Sequence, residues 1–563
     1  IVNDIHQQGA NGARLFVPPY MKPVEPNVPP QIVEGYTELG NYIRDEMTRA
    51  GFAGITNDSI YDAWTPARAY SHYHGGVRIL TETASARLAS PIKVEFEKLR
   101  VDASDNYDPQ KTSANFPKPW QGGDWTLRDI TNYMTTSSFT LLKHAAENRE
   151  AWLKRFYAIG KEATRPRKKG EELYGFRVKI TDNFPQLKAV LERAGVQYGF
   201  PKGEKQTKVN LVSYFDSTES YPSESVIIPL EQPYGAFAKA ILENQIYPNL
   251  KDEKGSPIPP YDVTAHTLSL LMNLEVEEIK APFKPDWIRN ARVNRGISDC
   301  HLGFYNKIGI YKSHIPVMDE GWTRWVLEDA PCKEFENIID REIKADNFNQ
   351  KKPPSAKVLS NKIKGEKDLE LNYSTIIFPD QSPNQILNGY AKGAMPDEYT
   401  GGITQEGVAN LRKFVEAGGT LVFLNRASRF AIREFGLPVR DVTENLPSKD
   451  FYIPGSILRT ELDTANPIAK GMPKDSIAWF EDSPAFEITE SDDTNVEIIA
   501  RYPKDAKDVL LSGYALGAEK IAGKAALVQI NIGKGKIILF GFRPQYRGQS
   551  LATFPLLFNA IGN

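Results

Sequence analysis

Thr420-Leu421-Val422-Phe423-Leu424 follows a helix-spaced run over 404–417 and the pair Gly418-Gly419. A strand this apolar has no face to give to water, so it predicts a sheet covered on both sides. The pattern recurs upstream. Lys307-Ile308-Gly309-Ile310-Tyr311 reads as a buried strand with a helix at 322–327, and 374–378 as another strand, ending in Pro379-Asp380-Gln381-Ser382. Such alternation predicts an α/β unit built on a parallel sheet. Gly533-Lys534-Gly535, between apolar runs at 528–532 and 537–540, reads as a hairpin turn rather than a phosphate loop.

The chain is too long for one core: 563 residues suggest three or four domains. The basic run Arg165-Pro166-Arg167-Lys168-Lys169 reads as a solvated linker, giving units 1–165, 166–300 and 301–563, and the polar, Pro-bearing stretch 102–125 reads as a covering loop. Lys and Arg number 69 against 71 Asp and Glu, a net charge of −2. That balance argues against nucleic-acid or anionic-membrane partners, which need a basic surface. No apolar run approaches the ~18 residues of a membrane span. Cys300 and Cys332 are the only cysteines, so no disulfide framework exists.

In the first unit, Ile32, Tyr36, Leu39, Ile43 and Met47 recur at helical spacing before Gly51, and 126–163 is helical again, with Leu127, Ile130, Met134, Leu141, Ala145, Trp152 and Phe156 as its apolar face. Tyr61, Trp64, Tyr70 and Tyr73 form an aromatic loop, which could pack onto the sheet or offer a tyrosine to substrate. His72-x-His74 could ligate metal if extended, but lacks a third ligand at short spacing, and Gly75-Gly76 suggests a turn. The second unit alternates strands (174–180, 209–215, 226–229) with helices (185–194, 235–244) and carries no nucleophile or phosphate loop. His266 reads as a packed, hydrogen-bonded histidine.

The chemistry concentrates near the N-terminus. Val2 and Ile5 read as the end of a buried strand, with His6 where it meets its loop. Val77, Ile79 and Leu80 form a second apolar run, and Glu82 follows. One imidazole and one carboxylate, each at a strand end, could face one cleft, as in a hydrolytic zinc site. The segments DIHQQG, LFVPPYMKPVEPNVPP and ILTETA resemble the second half of an M14-type zinc carboxypeptidase domain, from the large multidomain bacterial branch. The resemblance implies that His6 is a zinc ligand, Glu82 the general base and Tyr61 the substrate-side tyrosine. No His-x-x-Glu is read anywhere in the chain and no Asn-Arg pair precedes His6, so the chain reads as a fragment whose other zinc ligands lie upstream of Ile1, inactive alone.

LEQPYGAFAKAILENQIYP and PPYDVTAHTLSLLMNLEV resemble the accessory domain of that branch, and ILFGFRPQYRGQSLATFPLLFNAI its last domain. The third unit also resembles the class I glutamine amidotransferase fold, a flavodoxin-like parallel sheet. Active members place a cysteine at the turn after a central strand, and here that turn reads Asn425-Arg426-Ala427, so no thiolate attacks. His314, Asp380, Asn425, Arg426 and Arg543 are expected to gather at the strand ends, with Asn425, Arg426 and Arg543 a candidate cleft for an anionic group such as a carboxylate. The implied function is a zinc metallocarboxypeptidase acting on peptide or protein substrates, periplasmic or extracellular by resemblance. The alternative is a non-catalytic peptide- or glycan-binding protein with a decayed zinc site.

Overall fold

Residues 308–311, 375–378 and 420–424 are buried at every position because the sheet they form has a helical layer on each face. The structure, a computed structural model, describes residues 1–59, 61–65, 69–87, 89–101, 105–168, 170–210, 218–251, 255, 257–283, 287–288, 294–296, 308–329, 335–345, 348, 373–489 and 495–562. Side chains alternate along a strand. Val422 and Leu424 pack with Leu556 and Leu557 of the Phe554–Gly562 helix. Leu421 and Phe423 pack on the other face with Val408 and Leu411 of the Thr404–Glu416 helix.

The protein is an α/β protein. In the third unit Phe335–Ile338, Ile308–Tyr311, Thr375–Phe378, Thr420–Leu424 and Gly535–Phe540 lie side by side, all parallel. Their order is 2-1-3-4-5 in chain sequence, the flavodoxin-like order. The expected parallel sheet is right for these five strands and wrong beyond them. Ala525–Ile532 pairs antiparallel with Gly535–Phe540, and antiparallel strands including Pro454–Leu462 and Asp475–Glu481 extend the same sheet. The cause is the Gly533-Lys534 turn, with Gly533 at φ 58°: two residues can close a hairpin, whereas a parallel crossover needs a dozen or more.

The first unit holds a sheet in the order Val2–Gln8, Arg78–Ala84, Leu15–Phe16, Ile55–Thr56. The Pro30–Arg49 helix buries Ile32, Tyr36, Leu39, Ile43 and Met47, the stripe its spacing predicts. The 126–163 stretch is two helices, Leu127–Glu147 and Arg149–Ala163, the first opened by a Thr126–Asp129 capping box. Phe156, read on the apolar face, is exposed, and Ile159 is the one residue its helix buries.

Val2 and Ile5 also depart from expectation, since the strand holding them is the sheet's edge and both are exposed. Apolar side chains signal a strand, but not which strand lies outermost. Nor do His6 and Glu82 end their strands. Gln7, Gln8, Thr83 and Ala84 continue the ladder past the apolar residues, because backbone pairing needs no apolar side chain.

The second unit is an antiparallel sheet, Gly175–Lys179 flanked by Ser225–Pro229 and Val276–Ile279, covered by the Phe184–Arg193 and Gly235–Leu242 helices. The strand expected over 209–215 is seen as Thr207–Asn210, its remainder lying outside the described residues. Polar bonds join the units. The Trp64 indole N–H donates to Thr264 O at 2.8 Å, and Gln245 N–H donates to Ser512 Oγ at 2.8 Å.

His72 and His74 sit in a short 3₁₀ turn, Tyr70–His74, not an extended strand. His72 is fully buried, stacked on Tyr36, with Nε2 3.1 Å from Arg78 O, and burial pushes its pKa down to about 4. An unfolded chain takes up that proton near pH 6.5, and the folded one only near 4. Stability should therefore fall as pH drops from about 6.5 to 4, by up to about 3 kcal/mol at the lower end. Urea midpoints of wild type and His72→Asn across that range check this. Parallel pH curves would contradict it.

Candidate functional site

His6 and Glu82 are register partners in the parallel pair of Val2–Gln8 with Arg78–Ala84, and Phe16 is the antiparallel partner of Glu82 on its other side. Residues directly opposite share a face. His6, Glu82 and Phe16 thus form one row across three strands. His6 Nδ1 lies 3.8 Å from Glu82 Oε1. His6 is exposed and Glu82 buried, so the carboxylate sits behind the imidazole. His6 Nε2 stands 2.9 Å from Asp4 Oδ1. Burial would raise the Asp4 carboxyl, but the Arg78 guanidinium, 2.5 Å away, and His6 outweigh it and hold it below the usual range.

Tyr61 packs edge-on against Phe16, ring centroids 4.7 Å apart, and its hydroxyl lies 3.4 Å from Gln8 Oε1. It is buried, so it packs the loop onto the sheet. Its opposite side meets Tyr261 at 4.8 Å, and it lines a cavity of about 570 Å³ to which all three units contribute, through Gln8 and Tyr61, Tyr247 and Tyr261, and Tyr452.

A catalytic zinc takes three protein ligands. Among the described residues no group of three or more His, Cys, Asp or Glu could hold a metal ion. The donor set beside Glu82 is one imidazole, and Asp4 is engaged by Arg78. These residues do not fit a complete zinc site. Residues 1–563 should therefore keep well under one zinc per chain after dialysis, by elemental analysis. One zinc per chain that disappears in His6→Ala would contradict this.

One motif was passed over in the sequence: His144-x-x-Glu147 is followed by Asn148-Arg149, in the order the family uses. It sits at the end of the Leu127–Glu147 helix, after rather than before His6. His144 is buried, Nδ1 accepting from the Trp152 indole at 3.3 Å and Nε2 facing Glu38 at 3.4 Å. It packs its helix against two others, Pro30–Arg49 and Arg149–Ala163.

In the third unit the structure does gather Asn425, Arg426 and Arg543, around Asp380. Asp380 Oδ1 accepts from the Asn425 amide at 3.0 Å and from Arg426 Nε at 2.9 Å, and Oδ2 from Arg543 at 2.7 Å. Asp380 follows the third strand, beside the point where the 2-1-3-4-5 order reverses. His314 follows the first strand but packs edge-on against Tyr399. The expectation that the arginines offer free charge to an anion needs correction. Arg543 also meets Glu481 at 3.0 Å and Asp319 at 3.3 Å, and Arg426 forks onto Asp380. Sequence reading missed Asp319 and Glu481, whose one signal is position: the first turn of Met318–Asp329 and the end of Asp475–Glu481.

Burial alone would raise Asp380, yet Arg426 and Arg543 hold it at about 2, while burial pushes Asp319 up to about 6. Asn425 has φ 53°, the sharp strand-to-helix turn a nucleophile would occupy, but its amide serves Asp380. The nearby Ser428 hydroxyl is buried and donates to Phe540 O at 2.9 Å. Cys300 and Cys332 lie outside the described residues.

No family model and no curated protein matches the chain. Among solved structures it is similar to a ThuA-like protein from Bacteroides uniformis, 16% identical over 45% of this chain and 89% of that one, with a TM-score of 0.25. The cytoplasmic protein STM3548 from Salmonella typhimurium is 13% identical over 46% and 98%, TM-score 0.26. A β-galactosidase from Bacillus circulans sp. alkalophilus is 15% identical over 45% and 30%, TM-score 0.22.

Proposed function

We propose that the first unit carries the proton-handling part of a carboxypeptidase of the M14 zinc type, which hydrolyses the last peptide bond of chains with a free C-terminus. The observation that supports this reading is the His6–Glu82–Phe16 row, with Tyr61 packed on Phe16 at the wall of the shared cavity. Bound zinc would polarise water and the scissile carbonyl, and it would need two protein ligands besides His6. Glu82 is placed to take a proton from an attacking water and return it to the leaving amine. Tyr61 would exchange its hydroxyl's contact with Gln8, which also lines the cavity, for a hydrogen bond to the substrate backbone. Asp4 and Arg78 fix the strand-side orientation of His6.

The test uses the protein as its gene encodes it, supplied with zinc, and unblocked against C-terminally amidated peptides. Stepwise release of C-terminal residues from the unblocked peptides alone supports the proposal. Cleavage of both, or of neither, contradicts it. A second reading, a peptide-binding protein without catalysis, is favoured by the lack of a three-ligand group among the described residues. Saturable peptide binding with no hydrolysis would select it.

A further inference from the structure

Arg14 is fully buried, and among the described residues the ionisable groups acting on its charge are the hydroxyls of Tyr107 and Tyr133, with no carboxylate. Burial pulls its pKa down to about 10. Its guanidinium lies over the rings of Trp120 and Trp125, 4.4 and 4.9 Å from their centroids. The indole faces offset part of what a charge loses on leaving water. A methionine or leucine would fill this slot without that loss. What the guanidinium adds is its N–H donors.

Those donors serve one loop. Arg14 Nη2 donates to Ala10 O and to Gly12 O, the second at 2.8 Å. The neighbouring carbonyls are tied too: the Arg100 backbone N–H donates to Asn11 O at 2.9 Å, and the Gln8 side-chain amide to Ala13 O at 2.9 Å. Gln8, Gly9, Ala10, Asn11 and Gly12 all line the cavity of about 570 Å³, as Tyr61 does. A trans peptide unit keeps its C=O and N–H on opposite sides. Anchoring Ala10 O on Arg14 therefore turns the Asn11 N–H away from Arg14. Among the described residues that N–H donates to no protein acceptor.

We infer that Arg14 is a positioning residue for the substrate: it sets the 9–12 rim of the cavity so that the Asn11 N–H takes a backbone carbonyl of the bound peptide. The inference rests on the carboxypeptidase reading for the identity of the ligand, and adds to it a residue that sequence reading passed over. Arg14 touches neither substrate nor reacting atoms and acts through the loop alone. A hydrogen bond to a carbonyl that does not react is equally strong before and in the transition state. Losing it raises KM and leaves kcat.

The test compares wild type, Arg14→Met and Arg14→Lys, each as the gene encodes it and supplied with zinc, on an unblocked peptide. Arg14→Met keeps bulk between the indoles and loses the donors. Its KM should rise about tenfold, the size of one lost hydrogen bond, with kcat within about threefold of wild type. Arg14→Lys, whose ammonium can still donate to both carbonyls, should recover most of that loss. Hydrogen exchange on residues 1–563 reads the loop apart from hydrolysis. The amides of 9–13 should exchange at least about tenfold faster in Arg14→Met, with the Arg78–Ala84 strand unchanged. Trp120→Leu, at a partly exposed wall of the slot, should move both readouts the same way by less, and it decides the matter if Arg14→Met does not fold. Wild-type KM and wild-type loop exchange in these variants would overturn the inference. So would an effect confined to kcat, or a loss of protection spread over the whole unit. If wild type hydrolyses no peptide, the carboxypeptidase reading fails, and the positioning role is judged on anisotropy of a labelled peptide, which Arg14→Met should bind about tenfold more weakly. Hydrolysis by wild type with an unchanged loop in Arg14→Met does the reverse.

Discussion

Asp380→Asn should destabilise the third unit by about 3–5 kcal/mol, the usual cost of leaving buried charges without their partner. Asp380 is buried and answers two guanidinium groups, Arg426 through both Nε and Nη2 and Arg543 through Nη2. The amide keeps the shape, so the loss is electrostatic rather than a cavity. Arg543 would retain Glu481 and Asp319, so the larger share of the loss falls on Arg426. Arg426 would keep only Asp482 at 3.6 Å, an exposed carboxylate whose screened attraction is worth at most about 1 kcal/mol. The sign with pH follows. Asp380 is held at about 2 against an ordinary 3.8, so its contribution is complete above about pH 4 and is lost as pH falls through 2. Urea unfolding at pH 7 measures the effect. A change under about 0.5 kcal/mol would show that the network is not holding the strand ends together.

How much of this could be read from residues alone differs by unit. The strands at 308–311, 375–378 and 420–424 were legible because a run buried on both faces has no alternative in water. The antiparallel extension was not, since Pro454–Leu462 and Asp475–Glu481 gain their places from pairing partners, which periodicity does not name. Ile32 to Met47 gave the right helix face, whereas Phe156 looked just as apolar and is exposed. His6 and Glu82 were singled out one at a time. That they are partners in one ladder comes from a parallel register across about seventy intervening residues. Arg426 and Arg543 looked like free cations because the acids that occupy them, Asp319, Asp380 and Glu481, come from three other segments. The cavity was invisible for the same reason: Tyr61, Tyr261 and Tyr452 belong to different units.

Glu82→Gln should lower peptide hydrolysis by about 10²–10⁴-fold, the range for loss of a general acid–base group. Glutamine preserves the strand pairing with His6 and Phe16 and the volume at a buried position, so the unfolding midpoint should stay close to wild type. What it removes is the group that accepts and returns the proton. Tyr61→Phe should be milder, because the ring packed between Phe16 and Tyr261 remains and only a hydroxyl is lost.

The most direct measurement is therefore kcat/KM for release of the C-terminal residue from an unblocked peptide, by the gene-encoded protein supplied with zinc, wild type against Glu82→Gln. The row of His6, Glu82 and Phe16 predicts hydrolysis by the wild type and its loss, by about 10² or more, in a variant that folds normally. Equal rates in the two proteins, or no release by either, would contradict it.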